Sequence, residues 1–170
     1  MDDKPSVVGR AKPDSSMHVG MRLVAAGEAD AFITAGNTGA ALSIATLYTL
    51  GRIEGVHRPA LGTILQLAGR SMILLDIGAN TDTRAEWLAQ YGVMGSVYAA
   101  RALGLPNPRV ALVSNGEEAG KGSELVKEAY PLLANAKLNF VGNVEGKEIF
   151  NGGVDVAGAD GFTGNVFLKS

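Results

Sequence analysis

Four stretches of this 170-residue sequence use one vocabulary: Gly36-Asn37-Thr38-Gly39, Gly78-Ala79-Asn80-Thr81-Asp82, Asn115-Gly116-Glu117-Glu118 and Asp160-Gly161-Phe162-Thr163-Gly164-Asn165. A glycine lets backbone N–H groups approach a ligand closely, and a helix N-terminus behind it adds positive partial charge. Asn and Thr side chains add neutral donors. The combination suits an anion such as phosphate. The same residue types also make turns and cap helices. For any one loop that simpler role is enough; several such loops at one edge of a sheet would favour convergence on a ligand. Lys121, flanked by Gly120 and Gly122 just ahead of a helical pattern, has two readings. It can pair with phosphate as a point charge, or it can be a solvated surface lysine. The stretch is not a P-loop, because the glycine spacing and the Lys-Ser/Thr pair are absent.

Acid–base candidates are few. Asp76 and Asp82 could be paired carboxylates for proton transfer or magnesium. The simpler role for Asp76, at a strand end, is to hold a loop by accepting backbone N–H bonds. His18 and His57 are the two histidines. His18 falls on a helical pattern and is expected at its surface; His57 lies in a connection before Arg58-Pro59 and could face a cleft. No Ser-His-Asp context and no Gly-x-Ser-x-Gly elbow occurs. Zinc needs more ligands than these, and no Gly-x-Gly-x-x-Gly fingerprint supports a nicotinamide cofactor. No metal and no cofactor is implied.

The elements that must position these residues follow from apolar pattern and punctuation. Met72-Ile73-Leu74-Leu75 is a short uninterrupted apolar run, as in a strand buried on both faces of a parallel sheet. Asp76 and Gly78 follow it, where open α/β sheets bind ligands. Upstream, Asp14-Ser15-Ser16 offers an N-cap, and Met17, Val19, Met21, Leu23 and Val24 form an imperfect helical stripe ending at Gly27. Residues 31–34 read as a short strand. Residues 40–50 read as a helix, apolar almost all round and so expected to be buried. Residues 60–67 read as a strand with Gly62 as a possible bulge. Ala68-Gly69-Arg70 turns it back into the Met72 run, making an antiparallel pair.

Residues 85–102 are the longest helical pattern, with Trp87, Leu88, Tyr91, Met94, Val97 and Tyr98 on one stripe and a stop at Gly104 and Pro106. Then come a strand at 110–113, a helix capped by Ser123 and containing Pro131, and a strand at 138–141 ending in Gly142-Asn143. A helical turn at 147–150, a strand at 154–157 and a helix opening after Asp160 complete the series. Short-linked β-loop-α units predict an α/β fold with a mostly parallel sheet and flanking helices.

Composition narrows the function classes. Fifteen basic and 17 acidic residues give a net charge of −2, against the clustered basic footprint of a nucleic-acid binder. There are no cysteines, which removes disulfides, thiolate metal sites and cysteine nucleophiles. No apolar run reaches membrane-span length, and no signal-peptide pattern opens the chain. The polar start at Met1-Asp2-Asp3-Lys4-Pro5, and a final helix of barely two turns, suggest one α/β segment (1–170) of a longer protein.

Longer words in the sequence resemble a known family. They are Asp30-Ala-Phe-Ile-Thr-Ala-Gly-Asn-Thr-Gly-Ala40, Gly51-Arg-Ile-x-Gly-Val-x-Arg-Pro-Ala60, Leu75-Asp-Ile-Gly-Ala-Asn80, Gln90-Tyr-Gly-Val-Met-Gly-Ser96, Gly142-Asn-Val-Glu145 and Asp160-Gly-Phe-Thr-Gly-Asn165. Together with Lys4-Pro5 and Asp14-Ser15-Ser16-Met17, they resemble the bacterial phosphate acyltransferase family of phospholipid synthesis. The resemblance implies transfer of an acyl group from acyl-[acyl-carrier protein] to inorganic phosphate, giving an acyl phosphate. It implies a fold related to phosphotransacetylases and isopropylmalate dehydrogenases, and members about twice this length, which makes residues 1–170 a catalytic-domain segment. It also implies a cytoplasmic homodimer peripherally associated with the inner face of the membrane.

Two departures stand out: Ser123 where many relatives carry Asn, and no proline in the turn at Gln66-Leu67-Ala68. On this resemblance the expected catalytic set is Lys121, Asn80, Asn165 and Asp160. The expected substrate-binding set is Gly36, Asn37, Thr38, Gly39, Asp76, Gly78, Asp82, Asn115, Gly116, Glu118, Asn143, Gly161, Thr163 and Gly164. The alternatives are a phosphotransacetylase acting on a coenzyme A thioester, and a non-catalytic phosphate- or acyl-binding module.

Overall fold

Ser15 caps helix α1 (Ser16–Ala25) by accepting a hydrogen bond from the His18 N–H. The computed structural model describes residues 10–67 and 69–170. Lys4-Pro5 of the family words and Ala68 of the turn lie outside the described residues. The chain divides at Pro59/Ala60 into two compact units.

The first unit corrects three expectations. His18 is not at the surface: it is 3% exposed, lies 2.9 Å from the Ser15 hydroxyl through Nδ1, and has its ring 5.9 Å from that of Tyr48. The buried positions of α1 are His18 and Met21, while Val19 and Leu23 are exposed. The true stripe is therefore the three-residue step on which the polar His18 sits. Residues 31–34 form no strand. A strand needs a partner for its backbone groups, and Ile33 is 93% exposed. Phe32 instead covers Gly20, where a side chain would overlap its ring. Asn37 caps α2 (Thr38–Ile44) by accepting from the Ala40 N–H at 3.0 Å. The helix runs on as one π-helical turn, Ala45–Thr49. It is not a buried helix: Ala40 and Ile44 are its buried residues, and Leu47, Tyr48 and Leu50 face solvent.

The second unit is built on a five-stranded sheet. β1 (Gly62–Leu67) and β2 (Arg70–Leu75) form the antiparallel hairpin, with Gly69 at φ +74° in the turn. Gly62 is no bulge, being paired in register with Leu75. A Cβ there would come within 2.5 Å of the Leu75 side chain, so glycine is needed for packing rather than for an extra residue. β3 (Val110–Val113), β4 (Phe140–Val144) and β5 (Val156–Gly158) give the order β1-β2-β5-β3-β4, parallel from β2 onward. β4 runs three residues further than its pattern suggested, through Gly142, Asn143 and Val144. A register shift opposite Val110/Ala111 leaves Val141 as the extra residue of a bulge, and Gly142, at φ +100°, resumes the pairing with Ala111.

Helices cover both faces. α3 (Ala85–Ala102) and α4 (Glu124–Ala134) pack over Ile73, Leu75, Val110, Leu112 and Val156. On the other face Met72, Leu74, Ala111, Val144 and Ala157 meet Ile149 of α5 (Gly146–Phe150) and Phe167 of α6 (Gly161–Lys169). The core side of α3 is Leu88, Tyr91, Gly92, Gly95 and Ala99, while Val97 and Tyr98 of the expected stripe are exposed. Small residues won because close approach to the sheet requires them. A Cβ on Gly95 would sit 2.5 Å from Val156 and 2.8 Å from Leu75.

Candidate functional site

All four parallel strands deliver their carboxyl ends to one edge, and three of the glycine-containing loops leave from it. The first loop is organised by Asp76. This side chain is 0% exposed, and five N–H donors surround it. Oδ1 accepts from the N–H groups of Leu61, Gly78 and Ala79 at 3.1, 3.2 and 3.0 Å. Oδ2 accepts from the Asn80 N–H at 2.7 Å and from Asn80 Nδ2 at 3.0 Å. Such saturation offsets the cost of burying a carboxylate, and it fixes residues 76–80 as a closed ring. Gly78, at φ +135°, supplies a backbone angle that side chains avoid. Asp82 is exposed and stands outside this network, so the two carboxylates do not form a pair.

The start of α6 locks onto the same loop. The Gly161 N–H donates to the Asn80 carbonyl at 2.8 Å, and the Thr83 hydroxyl donates to that carbonyl at 2.7 Å. A Cβ on Gly161 would lie 2.7 Å from the Asn80 carbonyl oxygen, and one on Gly164 would overlap the Asp76 carbonyl. These glycines therefore admit protein backbone. Asp160 caps the helix: Oδ1 accepts from the Phe162 and Thr163 N–H groups at 2.9 Å each, and Oδ2 accepts from the Thr163 hydroxyl at 2.6 Å. The first-turn donors of α6 are thus already used. Asn165, one turn in, lays its side-chain amide beside Gly78.

The β3–α4 loop is held differently. Asn115 Oδ1 accepts from the Gly122 N–H at 2.9 Å, and the Lys121 N–H donates to the Glu118 carbonyl at 2.9 Å. From β4, Asn143 Nδ2 donates to the carbonyls of Glu118 and Lys121 at 2.8 and 3.4 Å. Asn143 is 7% exposed, and its Oδ1 has no partner among the described residues. A side chain on Gly116 would press on Lys121 and the Glu118 carboxylate, at 2.8 and 2.9 Å. The Lys121 stem therefore folds back over Gly116. Its ammonium makes no ion pair among the described residues. Ser123 caps α4 by accepting from the Val126 N–H at 3.4 Å. That leaves the Glu124 and Leu125 N–H groups as the orphan donors of an 11-residue helix.

Between these loops lies a cleft of about 500 Å³, walled by Ser114, Asn115, Gly122, Ser123, Asp160 and Thr163 over an apolar floor. Ser114, immediately after β3, contributes a buried hydroxyl with no partner among the described residues. It was absent from the expected site. In sequence it is one more turn serine, and its lack of a partner is a tertiary fact. A second groove of about 450 Å³ runs along β1, β2 and α3, lined by Gly62, Ile64, Ile73, Leu75, Met94 and Tyr98 among others. Among the described residues no charged side chain lines it.

The structure thus gathers Asp76, Gly78, Asn80, Asp160, Gly161, Thr163, Gly164 and Asn165 into one loop–helix assembly. Asn115, Gly116, Glu118, Lys121 and Asn143 form a second assembly at the same edge. Gly36, Asn37, Thr38 and Gly39 belong to the first unit, where Asn37 is a helix cap. His57 is exposed there, and its carbonyl accepts from Arg52 at 3.0 Å. Among the described residues no group of three or more His, Asp or Glu side chains is placed to hold a metal ion.

One ion pair with perturbed charges lies at the opposite edge. There the Arg109 guanidinium donates to both Asp155 oxygens, at 2.9 and 3.0 Å, and its backbone N–H adds a third bond at 2.8 Å. Those hydrogen bonds, with the positive charge of Arg109, hold the Asp155 carboxyl below the usual range. The same pairing raises the Arg109 guanidinium.

This layered α/β architecture, with a mostly parallel sheet and ligand-side loops on its carboxyl edge, is the fold of phosphotransacetylases. The EutD phosphotransacetylase from Staphylococcus aureus matches with a TM-score of 0.65 at 22% identity, over 96% of this chain and 60% of that one. A branched-chain phosphotransacylase from Enterococcus faecalis matches with a TM-score of 0.59 at 19% identity, over 100% of this chain and 65% of that one.

More particularly, the chain belongs to the fatty acid synthesis protein family, whose model matches residues 1–170. It is 50% identical to the phosphate acyltransferase of Desulforudis audaxviator, over 100% of this chain and 50% of that protein. It is 52% identical to that of Exiguobacterium sibiricum, over 99% of this chain and 51% of that protein. The chain therefore spans about half the length of the curated relatives it matches.

Proposed function

We propose that the full-length protein transfers a fatty acyl group from acyl-[acyl-carrier protein] to inorganic phosphate, forming an acyl phosphate for phospholipid synthesis. The observation that carries this is the cleft at the start of α4. It is lined by Gly122 and Ser123 at the start of α4 and by Ser114, whose buried hydroxyl has no partner among the described residues; such donors suit a phosphate anion. The relatives' shared name, phosphate acyltransferase, supports the same reading.

The reaction needs no protein nucleophile, because the thioester is already activated. A phosphate oxygen bonds to the thioester carbonyl carbon and the C–S bond breaks. The proton carried by hydrogen phosphate passes to the departing thiol. The protein's part is to desolvate and aim the phosphate and to stabilise the oxyanion that develops on the carbonyl oxygen. We assign Lys121 as counter-charge to the phosphate and the Asn165 amide as a donor to the carbonyl oxygen. Asn80, Asp76 and Asp160 act as positioning residues, since their polar atoms bind the loop and helix that present those donors. The apolar groove beside β1 suits an aliphatic chain, and we assign the acyl tail to it.

The same proposal includes a cytoplasmic homodimer that meets the membrane peripherally. No helix among the described residues is long and apolar enough to cross a membrane.

The test is an assay of the full-length protein with acyl-[acyl-carrier protein] and phosphate, trapping acyl phosphate with hydroxylamine. Phosphate-dependent hydroxamate is expected, and its absence refutes the proposal. Equal or faster turnover of acyl-coenzyme A would move the protein to the phosphotransacetylase reaction. Lys121→Ala is expected to raise the phosphate KM or lower kcat at least tenfold. Unchanged constants would remove Lys121 from the site.

A further inference from the structure

Ser114 lies where β3 ends, its backbone N–H donating to the Val144 carbonyl at 2.9 Å. That bond ties the residue to the sheet, so the position of its side chain is set by rigid structure rather than by loop motion. The hydroxyl is buried, yet no donor or acceptor among the described residues meets it. Such a group ordinarily destabilises the fold and calls for an explanation.

Its neighbours supply one. Gly122, at φ +98°, stands over the hydroxyl; a Cβ there would come within 3.1 Å of the Ser114 Oγ and within 2.7 Å of Val126. The glycine keeps open the approach between the hydroxyl and the first turn of α4. Ser114 and the α4 cap Ser123 line the same cleft. The Ser114 hydroxyl at the end of the sheet and the Ser123 cap at the start of α4 thus border a common space from different elements. A tetrahedral oxyanion, with several acceptor oxygens, satisfies both at once.

We infer that Ser114 is the phosphate-recognising hydroxyl of this cleft, donating to one oxygen of the bound anion. This inference rests on the acyl-transfer reading above and deepens it by naming the side chain that distinguishes bound phosphate from water. Lys121 supplies charge, which any anion feels; Ser114 supplies a directed donor at a fixed place.

The experiment uses the full-length enzyme and its Ser114→Ala variant, with inorganic phosphate as the probe. Three quantities are measured: the melting temperature without phosphate, the phosphate Kd from the phosphate-dependent rise in that temperature, and the steady-state KM for each substrate. Ser114→Ala should melt at or above the wild-type temperature without phosphate, because it removes an unsatisfied buried group. It should also weaken phosphate binding about ten- to hundredfold, as expected for one hydrogen bond to a charged ligand. The KM for the acyl carrier should stay within about twofold. A merely structural serine would lower stability and leave phosphate affinity alone.

If the wild type binds phosphate and makes acyl phosphate while the variant matches it in phosphate Kd and KM, the Ser114 assignment is overturned and the reaction stands. If the wild type neither binds phosphate nor makes acyl phosphate, the functional reading falls and this inference with it. Should the alanine variant not fold, Ser114→Cys keeps the volume with a weaker donor. Reduced phosphate affinity in it supports the assignment, and unchanged affinity overturns it.

Discussion

Replacing Asp76 should cost more than any other single polar substitution at the sheet edge, and the size of the effect can be worked from its contacts. Five N–H donors from four residues converge on one fully buried carboxylate. Asp76→Ala orphans all five. At roughly 1–3 kcal/mol per buried unsatisfied donor the bare sum is about 5–15 kcal/mol. The donors share one loop, however, so their losses are not additive, and breaking a buried charged network typically costs about 3–5 kcal/mol. With about 2–4 °C per kcal/mol for a chain of this size, the melting temperature should fall by about 6–20 °C.

Asp76→Asn is the sharper test. Placing its carbonyl at Oδ1 keeps the bonds from Leu61, Gly78 and Ala79 but sets an NH₂ against the Asn80 donors. Two acceptances are lost rather than five, and about half the alanine effect is expected. Asn80→Ala removes one donor and should cost about 1 kcal/mol. Trp87, the single tryptophan, lies on α3 in the same unit, so its fluorescence during heating reports on this sheet. The order alanine, then asparagine, then Asn80→Ala is the signature of a carboxylate that shapes the loop by accepting N–H bonds. If both Asp76 variants melt within about 2 °C of wild type, the carboxylate does not hold the loop. If Asp82→Asn lowers kcat without changing stability, the catalytic pair of carboxylates returns.

Gly164→Ala should destabilise by about 1–3 kcal/mol or more, because its methyl would overlap the Asp76 carbonyl; thermal melting checks this, and an unchanged melt would mean α6 does not press on the loop. At the opposite edge, hydrogen bonds from Arg109 depress the Asp155 carboxyl, so the pair stabilises the fold above the unfolded carboxyl pKa and that contribution is lost as pH falls through the folded value. The melting-temperature gap between wild type and Asp155→Asn should accordingly be constant near neutral pH and close below about pH 4; a gap that persists to pH 2 would show that the ion pair is not its source. In the groove, Met94→Trp should raise the KM for long-chain acyl carriers more than for short-chain ones and spare the phosphate KM; equal effects on all chain lengths would remove the acyl tail from this groove.

What the sequence disclosed and what it hid divide along a physical line. β2 was legible because a strand buried on both faces must be apolar throughout, and Met72, Ile73, Leu74 and Leu75 are all buried. The caps at Ser15 and Ser123 were legible because an N-cap is a local arrangement of one side chain and the next turn. Properties that depend on a distant partner were not legible. Residues 31–34 carry strand-like residues but have no strand beside them. His18 is polar yet buried, because it faces Ser15 and Tyr48. Gly142 reads as a turn, and only pairing with Ala111 keeps it in β4.

The glycines of the Asp160 loop show how the same line runs through the site itself. The sequence reading assigns Gly161 and Gly164 to the close approach of a ligand. The visitors are the carbonyls of Asn80 and Asp76. That backbone and the Asp160 side chain use the first-turn N–H groups of α6, whereas the Glu124 and Leu125 N–H groups of α4 have no side-chain cap. The phosphate site we propose therefore lies away from the Asp160 loop, in the cleft beside Ser114, whose hydroxyl has no partner among the described residues.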